Sequence, residues 1–425
     1  LPAFINKRDR QLIREGNTKI IRFWLSLFSV YRIISMPGEI KIKTITDSFS
    51  GDDLKFKLLL ENSQLFNYFS SLPKFITWSQ NLKLAPRSFI LSRKSSPTVS
   101  HSFMGILTDV YVLRDSMLEF YIAKYLTVLK QYKYNTTPFF KRWTDAVSLV
   151  ESIDSKYGLN FNFKKSYTGY LGQLSTKVEA AGKIRVFALV DSVTQSIFKP
   201  LHDSLFDLLR LIPNDGTFDQ DASVERSIKK SIDSGCAFSY DLSAATDRLP
   251  ALLSSKILNK ILGIPEIGDL WLKILTEREF SFNEKTISDY NLKSATVRYA
   301  VGQPMGALSS WAMLALTHHW ILQYCWSTLG NRGWCTEYEI LGDDLVIFNP
   351  VLADQYLKVC IILGVEINLN KSISSPNKAT FEFAKRTIVN GVNVSAISFR
   401  EITASVSLSS RVQSALVWWR AGLVK

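Results

Sequence analysis

The chain has 425 residues, 46% of them hydrophobic and 21% charged, which excludes a disordered polymer and allows a large buried core. Its 51 Lys and Arg against 38 Asp and Glu leave a formal charge of +13, which favours a polyanionic partner, most simply nucleic acid. Four scattered cysteines with no Cys-x-x-Cys pair, and only four histidines, argue against a disulfide framework or a zinc site and suit a reducing compartment.

The first 35 residues read as helical, with Lys7, Arg8, Arg10, Arg14, Lys19 and Arg22 interleaved among apolar residues. Residues 40–100 are loop-rich. Helices are expected over 109–134 and 141–153. From about 170 the pattern changes to short strands and turns. A strand is expected over 185–190, then a helix over 191–211 capped by Asp191 or Ser192. A strand over 237–242 precedes a helix over 251–262 that Gly263 and Pro265 end. A long helix is expected over 305–322, two strands around Gly342, and a helix over 353–363 closed by Gly364. Strands over 365–368 and 381–386 follow. The apolar run 23–31 is too short to span a bilayer, and 311–329 carries Thr317, His318, His319 and Gln323, so no membrane-spanning helix is expected. The chain starts at Leu1, not Met, which reads as a processed or excised piece; no targeting signal is legible.

Gly342-Asp343-Asp344 carries the most chemical information. Two adjacent acids stand between apolar strand-forming runs, so a tight turn presents both at its tip. Acids held there are unfavourable unless they bind cations, and such a tip is what two-metal phosphoryl transfer needs. The same tripeptide at Gly51-Asp52-Asp53 lacks a preceding apolar strand and reads as a solvated turn. Asp241 ends the 237–242 strand and, alone, is equally a turn or cap acid; paired with Asp343 it becomes a second metal carboxylate. Asp247 follows six residues later, after small residues that allow a tight turn.

Gly302 and Gly306 in the segment before the long helix would let backbone approach a nucleotide or template closely. Ser309 and Ser310 put hydroxyls near that helix's start, where they could reach Asp247 and a ribose. His318 and His319 read as packing or hydrogen-bonding residues, not ligands. Lys177, Lys183 and Arg185 surround Gly182 in a basic hairpin suited to a triphosphate; an exposed charged strand face is the plainer reading. Lys371, after the 365–368 strand, could protonate a departing pyrophosphate or be a surface lysine. Lys385 and Arg386, in a basic-aromatic strand, could touch an RNA backbone or protect a sheet edge.

The order of these segments resembles the palm of viral RNA-dependent RNA polymerases, and it is similar above all to the mitovirus polymerases of the narnavirus-like lineage. The resemblance is carried by 182–191, by 241–250, by 302–311, by Leu341 with the paired acids, and by 382–386, so that it spans about 177–386; 4–9 looks similar as well. It implies an α+β right-hand polymerase with helix-rich fingers, a palm built on an antiparallel sheet flanked by helices, and a thumb, which the few residues after 386 leave as an incomplete thumb. The implied division is fingers over 1–236, palm over 237–264 and 301–390, a fingers insertion over 265–300 and the start of a thumb over 391–425. It implies a single-stranded RNA template, NTP substrates, Mg2+ or Mn2+ held by Asp241, Asp343 and Asp344, and Lys371 as general acid. Lys177, Lys183 and Arg185 would meet the triphosphate, and Asp247 with Ser309 or Ser310 would sense the ribose. Mitochondrial residence and replication without a capsid also follow from it. The spacing from Asp241 to Asp247 is one residue wider than in many RNA viruses, and Leu314 stands where their helix carries Asn. A reverse transcriptase usually has an aromatic-x-Asp-Asp turn and a bulky ribose gate, whereas here Gly342 precedes the acids. An endogenised, inactive copy that only binds RNA is the alternative from a different class.

Overall fold

A computed structural model describes residues 1–34, 36–114, 116–157, 171–292, 296–399 and 407–420. The chain opens with α1 (Lys7–Arg14) and α2 (Thr18–Phe28), whose first turns are capped by the side chains of Asn6 and Asn17. Three short helices follow: α3 (Lys43–Thr46), α4 (Asp53–Glu61) and α5 (Phe75–Gln80). The helix expected over 109–134 is in fact two, α6 (Ile106–Leu113) and α7 (Met117–Gln131). Ser116 is the reason, because its hydroxyl accepts from the Glu119 amide and starts a new helix. Next comes α8 (Thr137–Tyr157).

The acids of the first Gly-Asp-Asp are open to solvent, as its composition suggests, but the segment also starts a helix and packs closely. Asp52 caps α4 by accepting from the Lys55 amide, and Gly51 is pressed against the Ile362 carbonyl, which a Cβ there would meet at 2.2 Å. Its glycine is required by a close approach between distant segments.

The second half alternates strands and helices. β1 (Gly172–Val178) and β2 (Ile184–Val190) form an antiparallel hairpin. They lead into α9 (Ser192–Leu209), capped by Asp191, and α10 (Gln220–Ser234). Then come β3 (Ala237–Tyr240), the single-turn α11 (Ala245–Arg248), α12 (Ala251–Leu262) and α13 (Ile267–Thr276). β4 (Phe280–Phe282), α14 (Glu284–Asp289) and β5 (Thr296–Val297) follow, and the two strands extend the first sheet, whose order is β2-β1-β4-β5.

α15 (Ser310–Thr328) runs through the core, buried from Ala312 to Gln323 without a break. A helix buried all round needs no amphipathic stripe, and this one has none. It starts later than the expected 305, because Ser309 takes a left-handed backbone (φ 75) and 302–309 form an irregular loop. β6 (Tyr338–Leu341) and β7 (Asp344–Ile347) are the strands on either side of the paired acids, followed by α16 (Pro350–Leu363), which Gly364 ends at φ 67. No strand forms over 365–368; only Ile367 bridges, to Leu242. The strand that flanks β3 is β8 (Ile373–Ser375), so the second sheet has the antiparallel order β6-β7-β3-β8. The strand expected over 381–386 is a hairpin of β9 (Phe381–Phe383) and β10 (Arg386–Val389), with Ala384 and Lys385 both left-handed at its turn. β11 (Val392–Asn393) completes this third sheet, and α17 (Leu408–Arg420) ends the described chain.

The result is a mixed α+β architecture with a core centred on α15. Trp271, Trp320, Tyr338 and Tyr356 are among its fully buried side chains. Burial of each such ring stabilises by roughly 1.5–3 kcal/mol. All four cysteines are buried free thiols. Among the described residues no helix is long and apolar enough to cross a membrane.

Candidate active site

The second sheet brings the acids together. β3 and β7 are antiparallel, with Tyr240 opposite Leu345, so one further step of the ladder sets Asp241 level with Asp344 on the same face. Gly342 and Asp343 form the two-residue link from Leu341 to Asp344, and Gly342 is left-handed (φ 64) as such a tight hairpin demands. Asp343 is exposed at the tip, and Asp344, the first residue of β7, is half-buried.

On the other flank of β3, the Lys371 ammonium lies 3.8 Å from Asp241 Oδ2. Lys371 sits in the turn before β8, held there by its amide donating to the Asn368 carbonyl, and not after a strand as the sequence suggests. The same turn grips Asp241, whose amide donates to Ser372 Oγ (3.1 Å) and whose carbonyl accepts from the Asn368 amide (2.8 Å). β9 lies across this end of the sheet, the Glu382 amide donating to Ser239 Oγ.

Burial, and then the Asp343, Asp241 and Glu382 carboxylates, push the Asp344 carboxyl up to about 6, with Lys385 pulling the other way. Glu382 is raised too, by partial desolvation although its surface stays open, with Asp241 adding to the rise and Arg32 and Lys371 opposing it. Such crowding of like charge fits a hard divalent cation, which takes oxygen ligands and relieves the repulsion. Among the described residues no three acid, His or Cys side chains already converge into a metal cage. The donor chemistry of these carboxylates fits Mg2+ or Mn2+.

Lys177 and Arg185 are register partners across the β1–β2 hairpin, with Lys183 near its tip, and all three are exposed. Glu179 pairs with Arg185 (2.9 Å) and Lys183 (3.7 Å), and the Arg185 guanidinium above all holds its carboxyl below the ordinary range. The hairpin keeps a net positive end.

The loop before α15 is bound to the protein itself. Gly302 lies against the Thr246 and Asp247 carbonyls and Gly306 (φ 117) against that of Ala188, where a Cβ would come within 2.4 Å. These approaches within the protein are by themselves enough to require the two glycines. Ser309 Oγ accepts from Trp271 Nε1 (2.8 Å), and its amide donates to His202 Nδ1 (3.1 Å). Ser310 Oγ donates to the Pro304 carbonyl. Asp247 Oδ2 accepts instead from Thr44 Oγ1 (2.8 Å), and burial raises its carboxyl. Asp247 and the two serines are thus each engaged elsewhere. Lys385 is exposed at its turn, and the Arg386 guanidinium is tied to Asp221 and the Ala384 carbonyl.

Three contributors escape a reading of the sequence: Glu382, Arg32 and Thr44. Glu382 alternates with two buried phenylalanines, a pattern that marks its outward face but not what it faces. Arg32 and Thr44 reach the site from over 200 residues away, which no local pattern reports.

The family model described as mitovirus RNA-dependent RNA polymerase matches residues 82–422. The RNA-directed RNA polymerase of Cryphonectria parasitica mitovirus 1 is 32% identical over 388 residues, 88% of this chain and 44% of that protein. The chain thus spans less than half the length of that viral relative. Two uncharacterized mitochondrial proteins of Arabidopsis thaliana are each 30% identical, over 49% and 39% of this chain and 81% and 77% of their own lengths. The chain belongs to the mitovirus RNA-dependent RNA polymerase family.

Proposed function

We propose that this chain is the catalytic part of an RNA-directed RNA polymerase that copies single-stranded RNA by two-metal nucleotidyl transfer. The observation that carries the reading is the alignment of Asp241 with the Asp343-Asp344 hairpin on adjacent strands, with Lys371 beside Asp241. Family membership supports it. Asp241, Asp343 and Asp344 would hold the cations. When bound, a pair of Mg2+ or Mn2+ ions supplies the charge that activates a 3′-hydroxyl and steadies the leaving pyrophosphate. Lys177, Lys183 and Arg185 bind the triphosphate and orient it toward the acids. Lys371 Nζ gives a proton to the pyrophosphate oxygen as the bond breaks. Asp247, after release from Thr44, and Ser309 or Ser310 select the ribose; Gly306 shapes the loop beside the nucleotide. Lys385 and Arg386 contact product RNA.

In this reading the chain divides as a right hand: fingers over 1–236 and 265–300, palm over 237–264 and 301–390, and the start of a thumb from 391. Of these, 35, 115, 158–170 and 293–295 in the fingers and 400–406 and 421–425 in the thumb lie outside the described residues. The mitochondrial relatives support residence in the mitochondrion. The formal charge of +13 also suits a second reading, a copy that binds RNA without synthesis.

Incorporation of labelled NTPs on a single-stranded RNA template tests the choice. The polymerase reading predicts incorporation of NTPs over dNTPs that needs Mg2+ or Mn2+. RNA binding with no incorporation would favour the second reading, and a preference for dNTPs would contradict both.

A further inference from the structure

His318 is fully buried on α15, and its Nδ1 lies 2.9 Å from the Gly342 carbonyl. A carbonyl only accepts, so Nδ1 carries the hydrogen. Its Nε2 lies 2.9 Å from the Tyr356 hydroxyl on α16. Burial pushes the imidazole down to about 4, so it is neutral, and Nε2 accepts from Tyr356. One tautomer satisfies both contacts.

Those contacts join the two halves of the acidic site. The Gly342 carbonyl belongs to the peptide that leads into Asp343, so fixing it fixes the plane from which the Asp343 side chain leaves. The indole of Trp311, two turns before His318 on the same helix face, lies under Gly342, where a Cβ would be 3.2 Å from the ring. Tyr356 in turn stacks on Tyr240, with ring centroids 5.9 Å apart and 17° between planes. Tyr240 is the residue before Asp241. A continuous set of contacts therefore runs from the hairpin tip through His318 and Tyr356 to the strand that presents Asp241.

We propose that His318 is a positioning residue that, locked by Tyr356, holds the Gly342 peptide so that Asp343 and Asp344 face Asp241 at the spacing a shared divalent cation needs. This rests on the proposed two-metal reading of the site. His318 does not touch the cation or the substrate. It acts as a partner behind the ligands, the kind of group whose loss lowers metal affinity without altering the ligand set.

The test compares His318→Asn, His318→Gln, His318→Leu and Asp343→Ala with the wild type. Asn offers an amide hydrogen near the Nδ1 position; Gln carries its amide near Nε2, and Leu has no donor. Mn2+ binding is read by electron paramagnetic resonance on protein without RNA or NTP, beside thermal unfolding and single-nucleotide incorporation. The Gln and Leu variants are expected to lose roughly 10- to 100-fold in Mn2+ affinity. The Asn variant should stay close to wild type, and KM for NTP should change little in any of the three. Wild-type Mn2+ affinity in the Leu variant, or equal loss in the Asn and Leu variants at equal thermal stability, would overturn the role of His318. Unchanged Mn2+ binding in Asp343→Ala would instead overturn the metal site on which the proposal rests.

Discussion

Lys371 and Asp241 are joined by an ion pair of 3.8 Å on the side of β3 away from the paired acids. The lysine is largely exposed, so the pair itself adds little stability, and its position beside Asp241 is the informative part. If Lys371 donates a proton in the reaction, Lys371→Ala should slow single-turnover incorporation by roughly 10²- to 10⁴-fold. Lys371→Arg keeps the charge but cannot give up its proton, so it should recover little. Full recovery by Arg would reduce Lys371 to charge balance.

Gly342 offers a stability test free of chemistry. Gly342→Ala imposes a left-handed backbone on a residue with a Cβ, and that costs about 1–2 kcal/mol. The Cβ also meets the Trp311 ring. Gly235 has a similar φ of 70 but open space around it. Urea unfolding should therefore rank Gly342→Ala below Gly235→Ala, and both below wild type. Equal loss at the two positions would show that the indole yields freely.

Much of this site was legible because its elements are local. β3 is a short apolar run, α12 ends at a left-handed Gly263, and the acidic hairpin is two apolar strands around a glycine. What was not legible depends on contacts between distant segments. Residues 365–368 look like a strand, but the partner edge of β3 is taken by β8. The 381–386 segment looks continuous because its turn uses Ala384 and Lys385, neither of which announces a left-handed backbone. The start of α15 is hidden because the left-handed Ser309 is held by Trp271 and His202, both distant in sequence. The serines and Asp247 read as neighbours in sequence logic, yet Thr44, from the N-terminal region, takes Asp247.

Arg278 ties the first sheet to α9. It is buried, and it donates to Asp191 Oδ2 (2.8 Å), to Thr194 Oγ1 and to the Leu171 and Ile274 carbonyls. Arg278→Met leaves Asp191 buried without its counter-charge and should destabilise by about 3–5 kcal/mol. Adding Asp191→Asn should restore part of that loss. Urea unfolding of the single and double variants measures it, and a double variant no more stable than Arg278→Met would contradict the pairing.

Asp109 gives a pH dependence of defined sign. It is fully buried, with Oδ2 accepting from the Ser192 amide (2.7 Å) and Oδ1 from Thr98 Oγ1 (2.5 Å). Burial first, then the Asp191 carboxylate, push it from 3.8 to about 6. Arg278 is the cation that faces it. The folded state therefore binds more protons than the unfolded state between those values, and this group's stability contribution falls as pH rises through about 4 to 6, then levels. Asp109→Asn removes that slope. Between pH 4.5 and 7 the wild type should lose about 2 kcal/mol relative to the variant. A difference that is flat with pH, measured by urea unfolding, would contradict the raised carboxyl.

The central claim is that Asp241 and Asp343 together form the metal site of an RNA polymerase. Single-turnover incorporation of one NTP on a single-stranded RNA template, with Mg2+ and with Mn2+, tests it most directly. Wild type should extend the RNA, and Asp241→Ala and Asp343→Ala should each abolish extension while still binding RNA. Unchanged extension in either variant would contradict the account.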